Sequence, residues 1–193
     1  MGEEFSHEDW GGRELRQETF EHGTFVEMDM SELVTEGAVF DHCRFKGVRF
    51  NVSVHTASAF TNCVFDRCTF FDAAFEGCKL VGSSFRACSF DLLKVNGGDW
   101  SFVSMTQAAL GSARFADVRM READLSGVRA ENGSLRDLDL SGALFDKADL
   151  TGCDLRGSDL SAMDPGTVRL RGAVITADQA ILLAMAQGLD VRP

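Results

Sequence analysis

The sequence predicts a repeat protein whose unit is five residues, and three observations carry that reading. Large apolar residues recur at every fifth position: from Phe20 to Ile175 there are 32 such centres, of which 13 are Phe, nine Leu and three Met. The position two before each centre is nearly as restricted: of 31 such sites from Gly23 to Ala173, 21 are Gly, Ala, Ser or Cys, and none is charged. Every charge between residues 19 and 177 falls on the other three positions of a unit. A period of five fits neither the 3.6 of a helix nor the 2 of a strand. One large and one small side chain therefore point inward per unit, and three point outward.

The phase is unbroken across most of the chain and is densest in FDAAFEGCKLVGSSFRACSF (71–90). Only Thr35, His55, Ala130 and Pro165 depart from a large apolar centre. The units ADLSG (123–127), ADLTG (148–152), CDLRG (153–157) and SDLSA (158–162) resemble the A(D/N)Lxx consensus of the pentapeptide repeat family. The resemblance covers roughly residues 19–175. It implies an all-β fold, a right-handed quadrilateral β-helix with four units per coil of 20 residues. Such coils stack at about 4.8 Å, and each pairs with the coil above and below.

Taken in order, residues 1–18 keep the phase at Phe5, Trp10 and Leu15 but place Glu3, Glu8, Arg13 and Glu18 at the small inward site. Unpaired buried charge is too costly for a regular core, so this segment reads as an acidic tail or an imperfect first coil. Residues 19–175 are the solenoid. Within it His55 reads as a hydrogen-bonded core histidine, and Gly98 reads as making room for the large centre Trp100. Asp164-Pro165-Gly166-Thr167 reads as a turn closing the regular coils. Residues 176–193 are a capping and dimerisation segment with a helix near 177–188. Thr176 with Gln179 fits a capping box, and Gly188 fits a C-terminal stop. The run Ala180–Ala186 is apolar on all sides, so one face caps the column and the other needs a second partner.

Composition excludes several classes. Net charge is −11 without clustering of Lys and Arg, which argues against direct nucleic-acid binding. The longest uncharged apolar run is too short to span a membrane, and the acidic N-terminus lacks a signal-peptide core, so a cytoplasmic protein is expected. All six cysteines occupy the small inward site without a C-x-x-C, and they read as structural thiols. Cys43 with Cys63, and Cys68 with Cys88, lie one coil apart, but a cytosolic setting disfavours bridges. His22, His42 and Asn62 share a column, which reads as a solvated polar ladder rather than a metal site. No nucleophile elbow, phosphate loop or HExxH is present, so neither an enzyme nor a cofactor is expected.

With four units per coil, outward residues sort onto four faces. The face centred on Phe20, Phe40 and their successors sums to −3; the others sum to 0, −2 and −1. Candidate partner-binding residues on that most acidic face are Asp99, Asp139 and Asp159, with Glu21 and Asp41 as a second cluster. The C-terminal RLRGAVITADQAILLAMAQGL, with SAFTNCVF and GSSFRACSF, is similar to mycobacterial fluoroquinolone-resistance members of the family. That resemblance implies a DNA-mimicking homodimer that binds DNA gyrase, modulates its supercoiling and lowers fluoroquinolone susceptibility. The residues expected at the dimer interface are Ile181, Leu182, Met185 and Leu189. The alternative is a pentapeptide-repeat scaffold for a different protein partner.

Overall fold

A computed structural model describes residues 2–192. The chain is a parallel, four-sided β-solenoid followed by one helix, Ala177–Ala186. Pairing joins residues 20 apart, as the four-unit coil requires. On one side Phe25, Phe45, Phe65 and Phe85 are Cα partners in succession. The longest ladder has seven three-residue strands, from Glu14–Arg16 to Ser134–Arg136. A five-stranded and a three-stranded ladder form two further sides, and isolated bridges such as Asp29↔Arg49 and Asp149↔Arg169 complete the fourth.

Register dictates the core. Identical side chains on successive coils sit one strand spacing apart, so aromatic rings stack face to face. Phe25, Phe45, Phe65 and Phe85 stack with centroids 4.8, 4.8 and 4.7 Å apart. Phe20, Phe40 and Phe60 form a second column at 4.9 and 4.7 Å. Rings from adjacent sides meet edge-on, as quadrupoles prefer. Within the coils, the residue two after nearly every centre turns the corner with positive φ; Ser112, Ala162 and Thr167 are the exceptions. Twenty non-glycine residues accept this, at a cost of roughly 1–2 kcal/mol each.

The polar centres are satisfied. His55 is fully buried; its Nδ1 lies 2.9 Å from Thr35 Oγ1 and its Nε2 3.0 Å from Ser53 Oγ. Thr35 Oγ1 also bonds Ser58 Oγ at 2.8 Å. The His55 ring stacks 4.5 Å from Phe75, taking the place of a phenylalanine in its column.

Residues 4–18 continue the ladder: Phe5 pairs with Phe25, and Leu15 with Thr35. Trp10 and Leu15 are buried, while Glu3, Glu8, Arg13 and Glu18 are exposed. Charge is tolerated at these inward-type positions because the side chains stay exposed; Glu8 accepts from Trp10 Nε1 at 2.9 Å, and Arg13 lies over the Trp10 ring. Gly98 has a different cause from the one expected. Its φ is +94°, and a Cβ there would collide with the backbone of Cys78, so close main-chain approach, not Trp100, demands glycine. The 164–167 turn also does not close the solenoid. Thr167 N bonds Asp164 O, and pairing resumes at Arg169 with Asp149 and at Val174 with Asp154.

Besides the interruption around the 164–167 turn, the ladder opens beside Phe90. Among the described residues the regular bonds from Phe90 N to Ala109 O and from Ala109 N to Cys88 O are missing, and Leu92 N bonds the Ser112 side chain instead. The helix is seated by a capping box at Thr176 and by Gln179, whose Nε2 donates to Leu155 O and Ser158 O, each at 2.7 Å. Among the described residues no helix is long and apolar enough to cross a membrane.

Candidate functional site

The chemistry the chain presents lies on its outward positions. Four of the six inward thiols are held neutral, whereas hydrogen bonds with Cys63 and Cys68 shift Cys43 and Cys88 down. Burial pushes Cys78 up to about 11 and Cys153 up to about 12. Cys63 and Cys68 are raised further by the neighbouring Cys43 and Cys88 thiols and by burial. All six cysteines are free, and several donate to carbonyls of the preceding coil, as Cys63 Sγ does to Phe40 O. His22 and His42 stack at 5.2 Å, and His42 Nδ1 bonds Asp41 at 2.8 Å. No group of three or more metal-type ligands converges among the described residues.

The five candidate carboxylates divide into two environments. Asp99, Arg119 and Asp139 follow one another on successive coils, and Asp159 N bonds Leu138 O one coil further on. Arginines interleave this column: Arg119 meets Asp99 at 3.1 Å, and Arg121 meets Asp139 at 2.6 Å. Burial pushes the Asp99 carboxyl up, but bonds from Ser101 and Arg119 outweigh it and hold it below its ordinary range. Ser141 and then Arg121 do the same for Asp139. Asp159 accepts only the Ser161 backbone N–H among the described contacts. Glu21 and Asp41, by contrast, are strand partners without an arginine between them. Asp41 is held low by Thr61 and His42.

Sorting charge by face missed a second arrangement, along the axis. Residues 1–42 hold 12 carboxylates and two arginines, a net −10; residues 43–193 hold 18 acidic and 17 basic side chains, a net −1. Nearly the whole excess therefore sits on the first coils, with Glu21 and Asp41 among it. The signal was available in the linear sequence, as a running charge count rather than a phase. Beyond residue 43 the ladder pairs opposite charges at register positions, as at Arg49–Asp29 (2.7 Å) and Arg169–Asp149 (3.1 Å). The Arg49 hydrogen bond brings Asp29 down to about 2, and the Arg156 hydrogen bond does the same for Asp154.

At the opposite end the helix leaves an apolar surface. Ile181, Leu182, Met185 and Leu189 are exposed, from 43% at Ile181 to 61% at Leu189, whereas Leu183 packs against the core. The rod thus has an acidic end and an apolar end.

Comparison with known proteins agrees with this architecture. A model of the pentapeptide repeat region matches residues 68–145, and a model of the SV2A/B/C luminal domain matches residues 14–90. The pentapeptide repeat protein MfpA of Mycobacterium tuberculosis is 49% identical over 45 residues, 23% of this chain and 25% of that protein. MfpA of Mycolicibacterium smegmatis is 40% identical over 62 residues, 32% of this chain and 27% of that protein. The matched segments thus span about a quarter of these relatives' length. A solved structure of QnrB1, described as a plasmid-mediated fluoroquinolone resistance protein, covers 100% of this chain and 99% of its own with a TM-score of 0.51 at 21% identity, a likeness of fold. With the unbroken five-residue register and the four-sided coil, these matches support a pentapeptide repeat protein that resembles MfpA over part of its length.

Proposed function

We propose that this protein is a cytoplasmic, non-enzymatic DNA mimic that binds DNA gyrase at a surface that otherwise receives duplex DNA, modulates supercoiling and lowers fluoroquinolone susceptibility. The observation that carries the reading is the axial segregation of charge: a rigid rod with −10 on its first coils and an apolar helix at its far end. The resemblance to MfpA supports gyrase as the partner.

The active species is a homodimer joined through Ile181, Leu182, Met185 and Leu189. A two-fold contact covers the same apolar patch on both copies. At about 4.8 Å per coil, that arrangement sets the two acidic ends about 70 Å apart. Recognition is electrostatic, so binding weakens as salt screens it. Glu21 and Asp41 carry the larger share, because arginines already offset Asp99 and Asp139; Asp159 extends the same face.

The deciding experiment is a supercoiling assay with purified gyrase, with and without a fluoroquinolone, run at two salt concentrations. Wild type alters supercoiling or drug-induced cleavage, Glu21→Lys with Asp41→Lys abolishes the effect, and Asp139→Lys with Asp159→Lys weakens it less. Wild-type protein without effect on either readout would refute the reading.

A further inference from the structure

The rod carries a second apolar surface, remote from the helix. Large apolar residues exposed by more than a third are few, and five of them gather along one corner: Val34, Val52, Val54, Phe71 and Leu92. Val34 and Val54 are Cα partners on adjacent coils, and Val52 N bonds Phe71 O. Phe71 and Leu92 continue the zigzag upward. Two separate penalties fall on these residues. They expose apolar surface to water, and Val52 and Leu92 also hold left-handed corners, at φ of 60° and 59°. Branched side chains are disfavoured in that region, and this chain fills the same corner elsewhere with residues such as Gly12, Asn132 and Gly152. Neither penalty is offset within the monomer.

The surroundings specify the occupant. Glu14, Glu32, Glu36, Glu76 and Asp91 border the strip, and Asp72 sits within it, on the corner rung between Val52 and Leu92, held by Lys94 at 2.6 Å. Of the bordering cations, Arg16 and Lys94 are engaged by Glu14, Glu36 and Asp72, while Arg114, the next rung above Lys94, lines the upper end. At strand spacing, Val34 to Leu92 spans about 14 Å along the axis. That is the length of roughly nine helical residues, enough for anchors at i, i+4 and i+7. At its upper end the strip meets a cleft of about 350 Å³, lined by Leu92, Ser112, Asn132 and Gly152, beside the opened ladder.

We infer that this corner is a docking surface for an amphipathic helix of a protein partner, with an apolar stripe seated on Val34, Val54, Val52, Phe71 and Leu92 and basic flanks facing the carboxylates. It does not depend on gyrase recognition or on the acidic end. The test uses the full chain and a fluorescein-labelled 14-residue peptide with Leu at i, i+4 and i+7 and Lys on either side, read by anisotropy. Its controls are a scrambled peptide of the same composition and the variant Val52→Asn, Phe71→Ser, Leu92→Asn. Saturable binding is expected for the patterned peptide only, weakened at least about tenfold in the variant, which loses the anchoring contacts. The variant's melting midpoint should be unchanged or higher, because Asn suits the left-handed corner. Equal binding of the scrambled peptide, or undiminished binding by the variant, overturns the inference. A lowered midpoint also overturns it, by assigning these side chains to the fold. So does self-association that the variant abolishes and Leu182→Glu does not, because the occupant would then be a second copy.

Discussion

Acid should destabilise this protein through one residue, His55, well before the carboxylates respond. The imidazole is fully buried between Thr35 and Ser53, and burial lowers its pKa from 6.5 to about 3. A group whose folded pKa lies below its unfolded value binds its proton preferentially in the unfolded chain. The stability it secures is complete above about pH 6.5 and drains away as pH falls toward 3. Each unit of difference is worth about 1.4 kcal/mol, so the whole window amounts to roughly 4–5 kcal/mol, of which about 2 is lost between pH 7.5 and 5. Asp29 and Asp154, held near 2, act in the same direction but only below their unfolded value of 3.8. The comparison variant is His55→Phe, which restores the aromatic column. It leaves Thr35 its bond to Ser58, and Ser53 its 2.7 Å bond to Phe50 O. Urea denaturation of both proteins from pH 7.5 to 5 isolates the effect, since the exposed histidines cancel in the difference. Wild type should lose about 2 kcal/mol relative to the variant over that range. A pH-independent difference would mean that His55 is not buried neutral, and would refute the reasoning.

Three other outcomes follow from the packing. Phe65→Ala removes the middle ring of a column stacked at 4.8 and 4.7 Å and should cost roughly 3–5 kcal/mol by chemical denaturation. Gly98→Ala forces a Cβ onto the Cys78 backbone at positive φ, and a lowered melting midpoint is expected with Trp100 unchanged. Leu182→Glu places a charge on the exposed helix and should leave light scattering reporting a monomer; a wild type already monomeric at micromolar concentration refutes the dimer.

The fold was legible because a solenoid repeats its physics. Each centre meets its equivalent 20 residues on, so a phase in sequence becomes a column in space, and Phe25 predicts Phe45 as its partner without tertiary knowledge. What escaped is where that one-to-one mapping fails. Glu3, Glu8, Arg13 and Glu18 violate the inward rule yet sit in a paired coil, because their side chains stay exposed there instead of entering the core. Gly98 has the composition of a small inward residue, but its φ, invisible in sequence, is what fixes it. Gln179 was read as half of a capping box, and its side chain also reaches two carbonyls of the last coils. The arginines opposite Asp99 and Asp139 lie at register positions, so those pairings could be anticipated; which rotamer meets which carboxylate could not.

The same repetition explains why partner recognition in this protein must be read from exceptions rather than from the consensus. Every unit supplies three outward residues, and coil stacking converts each into a rung of a vertical ladder. Alternating opposite charges up such a ladder, as Asp99, Arg119 and Asp139 do, yields a nearly neutral surface whose rungs attract one another. Like charges on adjacent rungs repel. Glu21 beside Asp41, within a segment of net −10, therefore stands where interleaved arginines would have been the more stable choice. Val52 and Leu92 at left-handed corners are the apolar counterpart. Both departures lower the stability of the isolated rod, and both would be relieved by a complementary surface. On the readings proposed above, a cationic surface built to receive a phosphate backbone would relieve the acidic end, and an apolar stripe flanked by lysine or arginine would relieve the corner strip.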